Sequence, residues 1–204
     1  MGSDKAFLLN EGKPFVLAIA SELSRVSDDV LVLIGNKERH DFASLLNGRA
    51  RVLNDDPYID TPLGGLRSAF TNARHQAAAI VACDVPLLKA EVISYLFTAL
   101  QNHSAAVPIR RKGDKMSIEP LCAIYNVAEG NRAIEQTIRE GYTSPRSMIL
   151  RMEDVQFVSV SKLTTVDPLL ESFVNVNTQD EYLALVERQN TRPSNVILKG
   201  SDKA

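Results

Sequence analysis

The sequence predicts an α/β fold in which helices cover both faces of a doubly wound, mostly parallel, Rossmann-like sheet. The first observation is that amphipathic stretches alternate with short apolar runs between residues 14 and 101, because a helix placed between two strands makes them parallel. The second is that the runs at residues 30–35 and 77–83 are continuously apolar, which is typical of strands buried on both faces. The length of 204 residues suffices for one such core.

The elements of the first half follow from spacing and from the residues at their ends. Pro14 lies in the first turn of the first predicted helix, where its missing N–H group leaves no helical bond unmade, and Gly35 ends the first apolar run. The predicted helices of this half cover residues 14–24, 41–46, 62–74 and 88–101. The predicted strands cover residues 30–35, 50–53 and 77–83.

The second half departs from strict alternation after Ser104. Two predicted strands at residues 105–110 and 119–125 are joined by the basic loop 111–115. Predicted helices at 128–139 and 144–152 and strands at 156–160 and 173–177 follow. Thr178 and Glu181 have the spacing of a capping box, which predicts the start of the last helix.

The chain is predicted to form one domain over residues 1–189, followed by a C-terminal tail at 190–204, because no linker divides it. The pentapeptide Gly-Ser-Asp-Lys-Ala occurs at residues 2–6 and again at 200–204. The second copy follows residues 195–199, whose composition predicts a short buried strand. The tail is therefore either a disordered extension or a replacement strand that folds back into the sheet.

Composition and charge exclude several kinds of protein. Hydrophobic residues make up 45% of the chain, charged residues 24%, and the formal net charge is -2, so no basic excess indicates nucleic acid as a partner. No apolar stretch reaches the ~20 residues of a membrane-spanning helix. Cys83 and Cys122 lack metal-ligand spacing and suit a reducing compartment, which predicts a cytoplasmic location.

Motifs of several enzyme classes do not occur either. Gly12 and Lys13 are followed by proline rather than by the Ser or Thr of a P-loop, and there is no G-x-G-x-x-G. His40, His75 and His103 lack both zinc-ligand spacing and the context of a catalytic triad. P-loop NTPases, Rossmann dehydrogenases, zinc hydrolases and triad hydrolases are therefore poor fits.

Asp84 is the first candidate for chemistry. It closes the apolar run at residues 77–83, and ligands of open parallel sheets bind beyond the carboxyl ends of the strands. A carboxylate there suits Mg²⁺, which takes its other ligands from phosphates and water. The alternative is that Asp84 only caps the following helix.

A second group of candidates suits a nucleotide. Lys5 follows a small polar turn and is able to neutralise a triphosphate, although a lysine near a terminus is often only solvated. Asp55 ends a predicted strand, and Gly64 and Gly65 open a predicted helix, so a carboxylate and bare backbone would face a base and ribose. The alternative for the glycines is close packing of helix on sheet.

A third group suits a polar, anionic second substrate. Asn175 and Asn177 are two residues apart in a predicted strand and so would point to the same side, although an asparagine before Thr178 also suits a turn. Arg146, after Pro145, is a candidate for a phosphate.

Seven segments in this order resemble the molybdenum cofactor guanylyltransferase family: residues 1–6, 12–14, 54–55, 62–66, 83–86, 119–121 and 173–178. The resemblance covers about residues 1–189 and implies transfer of GMP from Mg-GTP to molybdopterin with release of pyrophosphate. It implies that Lys5 contacts the triphosphate, Asp55 and Gly65 the guanosine, and Asp84 the Mg²⁺. It implies further that Asn175 and Asn177 contact the pterin, and that molybdoenzymes or cofactor-biosynthesis proteins are partners.

One family feature differs in this sequence. Family members carry a strand and a Leu-Ala-Gly-Gly-x-Ser-x-Arg loop immediately before the segment that corresponds to residues 1–6. We therefore expect the central strand and its phosphate-binding amides to come from upstream of Met1 or from the tail. Two alternatives stay open: a catalytically weak nucleotide-binding relative, and a nucleotidyltransferase that uses CTP or another acceptor.

Overall fold

The computed structural model describes residues 5–113 and 115–190. They form a mixed α/β fold, as predicted. The strands are β1 (Leu9–Asn10), β2 (Lys13–Pro14), β3 (Leu31–Leu33), β4 (Arg51–Leu53), β5 (Ala77–Val81), β6 (Ala105–Lys112), β7 (Lys115–Ile118), β8 (Cys122–Asn126) and β9 (Val155–Ser159). The helices are α1 (Phe15–Leu23), α2 (Arg39–Leu46), α3 (Pro62–Asn72), α4 (Ala90–Leu100), α5 (Val127–Arg139), α6 (Pro145–Ile149), α7 (Val160–Leu163) and α8 (Gln179–Asn190).

The strand pairing corrects the prediction of a single, mostly parallel sheet. Strands β3 and β4 form a parallel pair of their own, and a separate five-stranded sheet has the order β5-β8-β6-β7, with β9 added to β6. In the larger sheet only the β6–β9 pair is parallel. The reason lies after β6, where the chain returns through a hairpin and inserts β8 antiparallel between β6 and β5.

The basic loop predicted at residues 111–115 is the tip of that hairpin. Strand β6 continues to Lys112 and β7 begins at Lys115, so all three basic residues of the loop belong to paired strands. The turn between them contains Gly113 at φ +59°, a left-handed conformation that glycine adopts without steric cost.

Helices cover both faces of the larger sheet, as predicted. On one face α4 buries Val92, Ile93 and Leu96 against the sheet. On the other face α3, α5 and α6 pack together, and their core includes Phe70, Ile134 and Met148. None of the helices in the described part of the chain is long and apolar enough to cross a membrane.

A gap separates the two sheets. It is a cavity of about 290 Å³ lined by the edges of β3 and β5 and by side chains of α1, α3 and α4. We call it the interstrand cleft. All residues of β3 and β5 are apolar, yet each is only partly buried, because the cleft leaves them uncovered.

The segment predicted as a strand at residues 173–177 is not one. A 3-10 turn (Glu171–Phe173) precedes it, and its backbone joins the fold through the N–H of Val176, which donates to the carbonyl oxygen of Asp84 at 2.8 Å. The predicted capping box then starts α8. Thr178 Oγ1 accepts the N–H of Glu181 at 3.2 Å, and the Glu181 carboxylate accepts the N–H of Thr178 at 2.9 Å.

Gly130, in the first turn of α5, is required by packing. A Cβ atom there would lie 2.5 Å from Cε2 of Phe70, whose ring is itself 2% exposed. We expect Gly130→Ala to destabilise the protein, because overpacking costs about 1–3 kcal/mol and exceeds the ~1 kcal/mol that alanine gains over glycine in a helix. Urea unfolding measures the change. Adding Phe70→Leu should recover part of the loss, whereas a more stable single variant would contradict the packing argument.

Candidate active site

Asp84 lies three residues after the end of β5, in the turn that leads to α4. Its side-chain oxygen Oδ1 is buried and has no hydrogen-bond partner among the described residues. The N-cap of α4 is Lys89, so the alternative that Asp84 merely caps this helix is wrong. A buried carboxylate oxygen without a partner is costly, and a hard cation such as Mg²⁺ is a ligand that satisfies it.

Asp84 lines a second cavity, of about 270 Å³. We call it the Asp84 cleft. Its lining includes Arg146, from the first turn of α6, and Asn175, from the segment before α8. The structure therefore brings three of the predicted site residues, Asp84, Arg146 and Asn175, to the lining of one cavity.

Glu119 also lines the Asp84 cleft, and sequence reasoning did not assign it a role. It lies between β7 and β8, where its N–H donates to the carbonyl oxygen of Pro108 at 3.0 Å. Burial raises the pKa of the Glu119 carboxyl above its ordinary value, and the charge of Arg110 offsets part of that rise. Its position after a strand and before Pro120 is the sequence feature that could have indicated Glu119 as a site residue.

Lys5 and Asn177 meet although they lie at opposite ends of the described chain. The Lys5 ammonium donates to Oδ1 of Asn177 at 2.7 Å. The Asn177 backbone is held in turn, because its N–H donates to the Glu181 carboxylate at 2.7 Å. Asn175 and Asn177 thus have different surroundings: the first lines the Asp84 cleft, and the second contacts Lys5.

Asp55, Gly64 and Gly65 form a group at the carboxyl ends of β3 and β4. Asp55 Oδ1 accepts the N–H of Gly35 at 3.0 Å. A Cβ atom on Gly65 would lie 3.1 Å from Asp55 Oδ2, so this glycine makes room for the carboxylate. A Cβ atom on Gly64 would lie 2.5 Å from the carbonyl oxygen of Ile59, so this glycine is required by packing against the loop before α3 and not against the sheet.

The interstrand cleft lies between these groups. Gly65 and Cys83, the residue before Asp84, both border it. Within the described ranges, no three His, Cys, Asp or Glu side chains are grouped as a metal site. A cation at Asp84 would therefore need ligands from bound phosphates and water, which is how Mg²⁺ commonly binds at nucleotide sites.

A buried ionic cluster lies next to the Asp84 cleft, and it was not predicted from the sequence. Lys89 Nζ lies 2.7 Å from Oδ1 of Asp167 and 3.2 Å from Oε2 of Glu171. Asp167 Oδ2 accepts the N–H of Ser172 at 2.8 Å, and Ser172 Oγ accepts the N–H of Lys89 at 3.0 Å. The cluster fastens the turn before Asn175 to the start of α4 and so positions that amide. Separations of about 80 residues left no local pattern to detect.

The ionisation of this cluster follows from its contacts. Burial lowers the pKa of Lys89, but hydrogen bonds to Asp167 and Glu171 outweigh burial and raise it overall. Burial raises the pKa of Asp167, but hydrogen bonds from Lys89 and Ser172 outweigh it and hold that pKa below its ordinary value. The lysine and the aspartate are therefore both charged at neutral pH.

Comparison of the sequence with protein-family profiles gives one match over most of the chain. The profile of the MobA-like NTP transferase domain matches residues 1–155. A probable molybdenum cofactor guanylyltransferase of Methanosarcina mazei is 29% identical over 183 residues, which are 87% of this chain and 80% of that protein.

Solved structures agree at the level of the fold. The crystal structure of molybdopterin-guanine dinucleotide biosynthesis protein A from Archaeoglobus fulgidus superposes with a TM-score of 0.75 at 21% identity, over 93% of this chain and 92% of that one. A 2-C-methyl-D-erythritol 4-phosphate cytidylyltransferase from Thermus thermophilus gives a TM-score of 0.72 at 15% identity, over 93% and 95%. At these identities the similarity concerns the fold alone.

Proposed function

Because the chain belongs to the MobA-like NTP transferase domain family, we propose that it is a molybdenum cofactor guanylyltransferase. It would transfer GMP from Mg-GTP to the terminal phosphate of molybdopterin. The names of its relatives support this acceptor and this nucleotide. A cytoplasmic location and contacts with molybdoenzymes or cofactor-biosynthesis proteins stay predictions.

The observation that carries the proposal is the unpaired, buried Oδ1 of Asp84 at the opening shared with Arg146 and Asn175. Mg²⁺ bound by Asp84 would neutralise charge on the phosphates. Arg146 suits the terminal phosphate of the acceptor, because a guanidinium donates two parallel hydrogen bonds to phosphate oxygens. Asn175 supplies an amide for the pterin.

The remaining predicted residues suit the nucleotide. Lys5, oriented by Asn177, would bind the triphosphate, and Asp55 beside Gly65 would accept the N–H groups of guanine. In the reaction a phosphate oxygen of the acceptor attacks the α-phosphorus of GTP, and the bond from that phosphorus to the bridging oxygen breaks, so that pyrophosphate leaves. The residues contribute in-line positioning and charge stabilisation rather than a protein nucleophile.

The proposal is tested by incubating the protein with molybdopterin, Mg²⁺ and GTP, CTP or ATP, and following pyrophosphate and the nucleotidylated pterin. We expect GTP to be preferred at least about tenfold, because the half-buried Asp55 carboxylate would have no guanine N–H groups to accept from CTP or ATP, and an acceptor left unsatisfied in this way costs about 1–3 kcal/mol. Asp55→Asn should remove this preference while still accepting the Gly35 N–H, and Asp60→Asn, at an exposed position nearby, should keep it.

Other outcomes separate the alternatives. Preference for CTP would identify a cytidylyltransferase. GTP binding without pyrophosphate release would identify a catalytically weak relative. Equal turnover with GTP and ATP would contradict the role of Asp55.

A further inference from the structure

The chain bulges out of the regular ladder of the larger sheet between β7 and β8. Between the last pair of β6 with β7 and the first pair of β6 with β8, β6 has two residues and the returning chain has five. These five are residues 119–123, and we call them the β7–β8 bulge. Extra residues of this kind bend a strand and redirect its side chains, and they are frequent next to active sites.

Hydrogen bonds hold the start of the β7–β8 bulge in one conformation. The Glu119 N–H donates to the carbonyl oxygen of Pro108 at 3.0 Å, and the Glu119 carbonyl oxygen accepts the N–H of Cys122 at 3.2 Å. Tyr125 is fully buried, and its hydroxyl donates to the carbonyl oxygen of Pro120 at 2.7 Å. The backbone of Glu119 is therefore fixed on both sides, which limits where its side chain can lie.

The β7–β8 bulge is also joined to the turn that contains Asp84. The carbonyl oxygen of Leu121 accepts the N–H of Ala82 at 2.9 Å, and Ala82 lies two residues before Asp84. Glu119, Leu121 and Asp84 all line the Asp84 cleft. Glu119 is thus a fixed part of the wall of the cavity in which we place the acceptor.

The Glu119 carboxylate is able to accept hydrogen bonds that the described residues do not supply. Glu119 is partly buried. Among the described residues Arg110 acts on its carboxyl group through charge, and none acts through a hydrogen bond. A carboxylate has about four acceptor positions, and leaving them without donors away from water is unfavourable. A ligand with N–H groups would satisfy them.

The remaining wall of the Asp84 cleft suits a flat ring. Val85, Leu121 and Phe173 contribute apolar side chains to it, and ligand sites commonly combine apolar walls with a few polar groups. A ring with an amino group next to a ring N–H donates two parallel hydrogen bonds to one carboxylate, as a guanidinium does. The 2-amino-4-oxopyrimidine ring has this pair of donors, and it occurs both in pterins and in guanine.

We propose that Glu119 determines the acceptor by accepting hydrogen bonds from the 2-amino and N3–H groups of its pterin ring. The inference rests on the proposed function, in which Arg146 of the same cavity binds the acceptor phosphate. Guanine has the same donors, but its proposed partner Asp55 is not part of the wall of the Asp84 cleft. Glu119 and Asp55 would therefore bind the two similar rings at separate places.

Two stable ring compounds test the proposal without turnover. 6-Hydroxymethylpterin has the 2-amino group, and 6-hydroxymethyllumazine has an oxygen in its place. The unmodified chain should bind the pterin about tenfold more tightly or better, because the lumazine oxygen offers the carboxylate no donor. Glu119→Gln should reverse this order, since an amide provides one acceptor for N3–H and one donor for the oxygen. Titration of each compound's fluorescence measures the dissociation constants.

Two further variants complete this test. Glu153→Gln changes an exposed carboxylate just before β9, and it should leave both dissociation constants unchanged. Glu119→Asp withdraws the carboxylate by one methylene group and keeps the test decisive if Glu119→Gln does not fold. It should weaken binding of the pterin without strengthening binding of the lumazine. Unchanged pterin binding in Glu119→Asp would contradict the proposal.

The transfer assay distinguishes the two rings and the two proposals. Glu119→Gln should raise the KM for molybdopterin about tenfold and leave the KM for GTP unchanged. A raised KM for GTP alone would assign Glu119 to guanine and overturn the proposal. A preference for pterin that survives Glu119→Gln, or no pterin binding by the unmodified chain, would also overturn it. Reversed ring preference without any nucleotidyl transfer would support the role of Glu119 and overturn the proposed reaction alone.

Discussion

Replacing Asp84 by asparagine is expected to lower nucleotidyl transfer by about 10²–10³-fold, the loss that follows removal of one preorganised charge-stabilising group. The reason is that Asp84 Oδ1 is buried without a protein partner, and an amide is a far weaker ligand for Mg²⁺ than a carboxylate. Steady-state turnover with Mg-GTP measures the activity. Binding of Mn²⁺, followed by electron paramagnetic resonance in the presence of GTP, reports the cation separately and should weaken in parallel.

The matched control is Asp41→Asn, at an exposed position of α2, which should change neither measurement. The melting temperature of Asp84→Asn should not fall, because the change removes a buried charge without breaking a side-chain hydrogen bond seen in the described residues. Near-normal turnover by Asp84→Asn, in a preparation whose unmodified chain is active, would refute the metal assignment.

Replacing Lys89 by alanine is expected to destabilise the fold by about 3–5 kcal/mol, the cost of leaving buried charges without their partner. The side chains of Asp167 and Glu171 are 0% and 7% exposed and both contact the Lys89 ammonium. Urea unfolding measures the loss. Lys162→Ala, which truncates an exposed lysine of α7, should change stability by less than about 0.5 kcal/mol.

The same pair predicts how stability depends on pH. Because the pKa of Asp167 is held below its ordinary value, its contribution is complete above about pH 4 and is lost as the pH falls through the lowered value. Because the pKa of Lys89 is raised, its contribution is complete below about pH 10.4 and is lost as the pH rises through the raised value. The stabilities of the unmodified chain and Lys89→Ala should therefore converge at acidic and at strongly alkaline pH. A constant difference over the whole range would contradict this account.

Local features of the fold could be predicted from the sequence. Pro62 and the glycines after it placed the start of α3, and Thr178 with Glu181 placed the start of α8. These predictions succeeded because caps and helical periodicity act within a few residues. Asp55 and Asp84 were likewise selected as site candidates because each follows a predicted strand.

Features that depend on distant partners could not be predicted. Alternation of helices and strands suggested one parallel sheet, but β8 pairs antiparallel with β5 at a separation of some 45 residues, and no local pattern encodes that choice. The apolar sequence of residues 77–81 predicted a fully buried strand. Among the described strands, however, only β8 pairs with β5, along one edge, and all five residues stay partly buried. Glu119 and the Lys89 cluster are likewise assembled by tertiary contacts alone.

The contact between Lys5 and Asn177 has a consequence for how the protein folds. It joins residues 172 positions apart, and the Tyr182 hydroxyl joins Leu9 over 173 positions. Closing loops of this length costs entropy before any contact repays it, so such pairings tend to form late. During synthesis the helices and the β6–β7 hairpin assemble from nearby residues, whereas Lys5 obtains its amide partner only after Asn177, just before α8, has been made. A ligand that binds at Lys5 and Asn177 would therefore bind after most of the chain has folded and would not assist the early steps of folding.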